Sequence, residues 1–159
     1  GAWVGTWTMA MNEFCGRVIA FEPDPVHYEC LVKNCPEDVE THQLAVGNEE
    51  KMISLSEDNF TQAKRVVGDG TIPMVTIDSL DLDDVDLIKI DVEGFEMEVL
   101  KGAENTLKNV DYLMIELNNN SKKYGSSNLE IEKHLRKTGF EIMIKVWPDV
   151  VWRKKGNSK

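Results

Sequence analysis

Asp86-Leu-Ile-Lys-Ile-Asp-Val-Glu-Gly-Phe-Glu96 holds a strand, a turn and the entry of a helix in one stretch. Residues 86–92 read as a short apolar strand, and Glu93-Gly94 as the turn that ends it. Over residues 95–109 the apolar positions Phe95, Val99, Leu100, Ala103 and Leu107 recur at helical spacing. The period changes from strand to helix across one glycine, and such units build α/β sheets.

Working outward, residues 111–117 predict another strand and residues 128–138 an amphipathic helix with Gly139 as its C-cap. Residues 140–147 and 150–154 flank Pro148-Asp149 and predict a terminal hairpin. Upstream, residues 17–22 predict a buried strand stopped by Pro23. Residues 28–34 have helical character, and residues 41–46 read as a second strand stopped by Gly47. Residues 51–56 and 73–80 alternate apolar and polar side chains, as half-buried strands do. Residues 58–70 between them have no clear period and read as a loop. The pattern predicts one α/β domain over residues 1–159, its sheet mostly parallel and closed by an antiparallel hairpin.

Composition narrows the function classes. The chain is 42% hydrophobic and 29% charged, which fits a globular protein. No apolar run approaches the ~20 residues that span a bilayer, and residues 1–159 show no secretory signal. A formal net charge of −10 disfavours wide contact with nucleic acid. Arg153, Lys154, Lys155 and Lys159 read as a solvated basic tail. Cys15, Cys30 and Cys35 match no zinc spacing, and read as reduced thiols of a cytoplasmic protein. His27, His42 and His134 stand alone in the sequence, so a metal-independent chemistry is expected.

Two constellations point to a ligand. In the first, Gly1-Ala-Trp-Val-Gly-Thr-Trp7 leads into a helical stretch, where small residues permit a tight turn and close approach to the backbone. Glu22 ends the next strand about 20 residues on, the place from which an acid accepts ribose hydroxyls in nucleotide-binding α/β folds. The dinucleotide fingerprint wants its second glycine two residues after the first, whereas here Gly5 follows Gly1 and Trp3 intervenes. A cofactor without phosphates fits this loop better. In the second constellation Asp91 and Glu93 sit at the C-terminal end of a strand, where open α/β sheets bind ligands. Either acid could instead serve only as a cap or first-turn charge of the following helix.

The runs Val18-Ile-Ala-Phe-Glu-Pro-Asp-Pro25, Leu44-Ala-Val-Gly47, Val75-Thr-Ile-Asp-Ser-Leu80 and Leu87-Ile-Lys-Ile-Asp-Val-Glu-Gly-Phe-Glu96 closely resemble the FkbM family of methyltransferases. Val99-Leu-Lys-Gly-Ala103 and Ile115-Glu116 continue the resemblance, which covers residues 1 to about 120. It implies a three-layer Rossmann-like sheet, S-adenosylmethionine as cofactor, and O-methylation of a hydroxyl on a sugar or small metabolite. By the same resemblance Gly1, Ala2, Val4, Gly5 and Thr6 form the cofactor loop, and Glu22 with Pro23 the ribose end. Ala45 and Val46 would flank the adenine, and Asp91 with Glu93 would face the sulfonium and the acceptor. Family members carry a strand before the glycine that matches Gly1, so a first strand is expected ahead of Gly1.

In such a reaction Asp91 or Glu93 would take the hydroxyl proton. Glu116, ending the next strand, is a further candidate, equally readable as a solvated acid. Trp147 and Trp152 could shape an acceptor pocket or simply pack the hairpin. A nicotinamide oxidoreductase and a cofactor-binding module without turnover are the alternatives. The sequence leaves the oligomeric state and the identity of the acceptor open.

Overall fold

The computed structural model describes residues 1–56 and 64–156. They fall into two compact units, one of residues 1–46 with 50–75, the other of residues 47–49 with 76–159. Each is built from short helices and mixed sheets.

In the first unit the opening loop enters α1 (Thr6–Asn12), followed by β1 (Ile19–Phe21) and α2 (Pro25–Asn34). Helix α2 starts earlier than the apolar period alone predicts, because Asp24 caps it. The Asp24 carboxylate accepts the amide N–H of Val26 at 3.0 Å and of His27 at 2.9 Å, and Pro25 occupies the first turn, where no N–H is needed. Parallel β1 and β2 (Glu40–His42) form one sheet. Val18, Ala20, Leu31 and Val39 bury their side chains together, with Ala2, Met11, Tyr28 and Cys35 packed around them.

The strand expected over residues 41–46 is two strands. Beyond Phe21 the partner chain reaches Pro23, which has no N–H to continue the ladder. β2 therefore ends at His42, and β3 (Ala45–Val46) pairs instead with β5 (Val66–Val75). β5 is antiparallel to β4 (Lys51–Leu55), with a bulge between Ile53 and Ser54. Residues 66–70 thus belong to a strand rather than to the expected loop; the remainder of that loop lies largely outside the described residues. Gly70 is required there, since a Cβ would stand 2.4 Å from the Ile53 carbonyl oxygen.

In the second unit the chain leaves β5 and turns. Ser79 donates its amide N–H to Thr76 Oγ1 at 3.0 Å, and Asp78–Leu80 is a 3-10 turn rather than the end of a strand. The polar alternation at Thr76 and Asp78 serves hydrogen bonds, local at Thr76 and to Asn105 and Thr106 at Asp78, not a sheet face. Parallel β6 (Leu87–Ile90) and β7 (Tyr112–Glu116) join antiparallel β9 (Asp149–Lys154) and β8 (Phe140–Val146) in the order β6-β7-β9-β8. Among the described residues the β1-β2 sheet is parallel and the two larger sheets are mixed, so parallel pairing does not dominate, while the terminal hairpin is where it is expected.

Helix α3 (Glu96–Lys101) is shorter than its apolar period suggests. It stops at Gly102, where a Cβ would stand 1.8 Å from the Gly47 carbonyl oxygen. The apolar face nevertheless continues inward: Val99, Leu100, Ala103 and Leu107 are all buried. Asp78 receives the chain beyond, accepting the amide N–H of Asn105 and of Thr106, each at 2.8 Å. Helix α4 (Asn128–Lys137) is capped by Ser127 and buries Ile131 and Leu135, and Gly139 ends it with φ 93°.

Trp152 is fully buried with Phe140 and Val150 in this core, whereas Trp147 is exposed beside Lys145. Lys154 is no solvated tail residue: its Nζ donates to the carbonyls of Leu107 at 2.6 Å and Thr138 at 2.9 Å. No helix among the described residues is long and apolar enough to cross a membrane.

Candidate active site

Within the first unit, β1 delivers Glu22 to a buried position just past its C-terminal end. The opening loop lies against that end. Phe21 O accepts from Gly1 N at 3.1 Å and from the Ala2 amide at 3.0 Å. The Trp3 amide donates to Glu22 Oε2 at 2.8 Å, and the Asp24 amide donates to Oε1 at 3.0 Å. A carboxylate offers about four acceptor positions, so Glu22 retains capacity for hydroxyl donors while its backbone partners fix its orientation. The side chain thus fits the ribose role that the family resemblance implies.

The Ala2 carbonyl accepts the Gly5 amide at 3.0 Å, closing the loop, and Gly5 starts α1 with φ 94°. A Cβ at Gly5 would stand 2.9 Å from Cys35 Sγ and 3.1 Å from Leu31 Cδ1. The close approach that glycine permits here is that of helix α2. Asn34 Nδ2 holds the Val4 carbonyl at 2.8 Å, and Thr6 is exposed at the start of α1. Pro23 follows Glu22, half-buried, and Ala45 and Val46 lie in another sheet of this unit, opposite Met74 and Val75. His27 stands 3.8 Å from Glu22 and 3.6 Å from Asp24, and its ring meets that of Trp3 in a T-shaped contact.

In the second unit, the C-terminal ends of β6 and β7 bring three carboxylates together. Asp91, Glu93 and Glu116 each place an oxygen within 4.8 Å of the others. Crowded acids of this kind are common without an ion and do not by themselves make a metal centre.

The turn that carries Glu93 is strained, and packing and hydrogen bonds hold it in place. Glu93 has φ 53° and Gly94 φ 106°, and a Cβ on Gly94 would stand 2.5 Å from the backbone of Asn120. Non-glycine residues in this left-handed region cost about 1–3 kcal/mol and cluster at functional sites. Buried Glu96 reaches back to accept the Gly94 amide at 2.9 Å. Asn120 Nδ2 donates to Glu93 at 2.8 Å, and Asn118 Nδ2 donates to Glu93 at 3.3 Å and to Glu116 at 3.1 Å.

The three acids are electrostatically unequal. Burial pushes the Asp91 carboxyl up, but Lys89, whose Nζ donates at 2.9 Å, more than offsets this and holds it below the ordinary range. Glu93 is raised by burial and by the charge of Asp91. Glu116 is pushed up to about 7 by burial, by its hydrogen bond to Asp91, and by the charges of Asp91, Glu93 and Asp149. The sequence pointed to Asp91 and Glu93 and ranked Glu116 beside them only as a candidate. It missed Asn118 and Asn120, whose one signal is the asparagine run directly after a strand.

Similarity to known proteins gives the family of this chain. Residues 1–142 match the model of the methyltransferase FkbM domain. The hexuronic acid methyltransferase AglP of Haloferax volcanii is 30% identical over 112 residues, which is 64% of this chain and 47% of that protein. The crystal structure of an FkbM methyltransferase from Methylobacillus flagellatus superposes with TM-score 0.66 at 19% identity, covering 96% of this chain and 41% of that one. The chain spans less than half the length of either relative. With its α/β fold alike and the family model covering all but its last residues, the chain belongs to the methyltransferase FkbM domain family.

Proposed function

We propose that this chain transfers a methyl group from S-adenosylmethionine to a hydroxyl oxygen of a sugar or small metabolite, within a three-layer Rossmann-like fold. The observation that carries the reading is Glu22, held at a strand end by two backbone N–H groups with acceptor capacity to spare, in a chain of this family. Glu22 would hold the ribose hydroxyls, the loop from Gly1 through Ala2 and Val4 to Gly5 and Thr6 would support the cofactor with Pro23, and Ala45 and Val46 would flank the base.

Bound cofactor supplies an electrophilic methyl on a sulfonium, so the protein's task is alignment and proton removal. Asp91 and Glu93 would face the positive sulfur and the acceptor. No metal is invoked. The hexuronic acid in the name of the haloarchaeal relative belongs to that protein; as a proposal for this one, it makes sugar hydroxyls the first acceptors to try. Three free cysteines support a cytoplasmic setting.

The test is transfer of radiolabelled methyl from the cofactor to a panel of monosaccharides and hexuronates. The reading expects label in a sugar product, lost in Asp91→Asn. Cofactor binding with no transfer to any hydroxyl would favour a binding module instead.

A further inference from the structure

The ends of β6 and β7 carry a like-charge pair for which the methyl-transfer reading alone gives no reason. Ile90 faces Ile115 in the parallel register, so Asp91 and Glu116 come next, side by side, where the strands leave the sheet. Like charges placed so destabilise a sheet. Glu93 joins them from the following turn, and Asp149 stands opposite Glu116 at the start of β9. Within this unit, Lys89 on β6 engages Asp91 and Lys123 after β7 acts on Glu93. Burial first, then the hydrogen bond to Asp91 and the neighbouring negative charges, push the Glu116 carboxyl up to about 7, while Asp91, despite its burial, is held below the ordinary range by Lys89.

We propose that Asp91 and Glu116 share one proton, that a sulfonium brought beside them displaces it, and that the emptied Glu116 then accepts the acceptor's hydroxyl proton. This rests on the methyltransferase reading and adds to it a link between cofactor charge and protonation. Before binding, the pair is one carboxylic acid and one carboxylate. A positive sulfur alongside makes the second carboxylate tolerable, and Glu116 releases its proton to solvent. In the transfer the carbon–sulfur bond breaks and its electron pair stays on sulfur, which becomes a neutral thioether. The hydroxyl oxygen forms the new carbon–oxygen bond, and its proton passes to Glu116. The net charge of the pair with its sulfur is the same before and after. With the proton back, the pair no longer favours the cofactor over its neutral product.

The test is calorimetric titration of the full chain with S-adenosylmethionine and with S-adenosylhomocysteine. Two buffers of different ionisation enthalpy are used, from below to above neutral pH. The sulfonium cofactor is expected to release up to one proton and to bind up to about tenfold more tightly per unit of rising pH below about 7. The thioether is expected to release none. Glu116→Gln should bind both without proton release. A carboxyl NMR titration of the free chain should show Glu116 changing charge near neutrality, and staying ionised when S-adenosylmethionine saturates the site. Equal proton counts for the two ligands, release that survives in Glu116→Gln, or a Glu116 carboxyl titrating in the ordinary range would overturn the inference alone. Binding of neither ligand would overturn the methyltransferase reading, and this inference with it.

Discussion

Gly94 shows how a single position can hold a site. Its φ of 106° and the Asn120 backbone 2.5 Å from where a Cβ would stand leave no room for a side chain. Gly94→Ala is therefore expected to destabilise the chain by about 3 kcal/mol, read by urea unfolding; a change under 1 kcal/mol would mean the turn relaxes freely. Glu116 is different, because its cost depends on pH. Its folded-state carboxyl is raised above the ordinary value, so the folded chain binds more protons than the unfolded one between the two values. The stability it contributes is present at low pH and is lost as pH rises through about 7. Glu116→Gln should thus stabilise the chain at pH 8, by about 1 kcal/mol after allowance for solvent screening, and leave it nearly unchanged at pH 5. At this scale the sequence disclosed residue types and strand-end positions. It could not disclose that Asp91 and Glu116 are partners, because cross-strand register depends on chain distant in sequence.

Among elements, the apolar period located β6, β7, α4 and the β8–β9 hairpin closely, and β7, β9 and α4 each bury one regular face. It failed where a tertiary contact decides. Helix α3 ends where Gly102 meets Gly47, and the first half of β5 is exposed, so neither leaves a hydrophobic signature. The cap of α2 is legible only once Asp24 is read with Pro25. Burial pushes the Asp24 carboxyl up, but Lys64 and the His27 amide bind its charged form and hold it below the usual range. A depressed carboxyl contributes stability above its unfolded value, ~3.9, and loses it as pH falls through the folded value. Asp24→Ala is expected to cost about 1–2 kcal/mol at pH 7, with the gap to the parent chain narrowing near pH 2 in thermal melts. A gap independent of pH would show that the charge of Asp24 does not matter to the cap.

On the scale of the whole molecule, family membership and the α/β character were legible from a few motifs, whereas the mixed strand directions were not, because periodicity does not report strand direction. Two groups of residues, the Glu22 loop in one unit and the strand-end acids in the other, are each ordered by their own hydrogen bonds. The role proposed for each follows from the methyltransferase reading. The most direct measurement is equilibrium binding of labelled S-adenosylmethionine to the full chain and to Glu22→Ala. Loss of hydrogen bonds to a charged group predicts binding weakened about 10–100-fold in the variant, with its fold intact by circular dichroism. A chain that does not bind the cofactor, or a Glu22→Ala variant that binds as tightly as the parent, would contradict it.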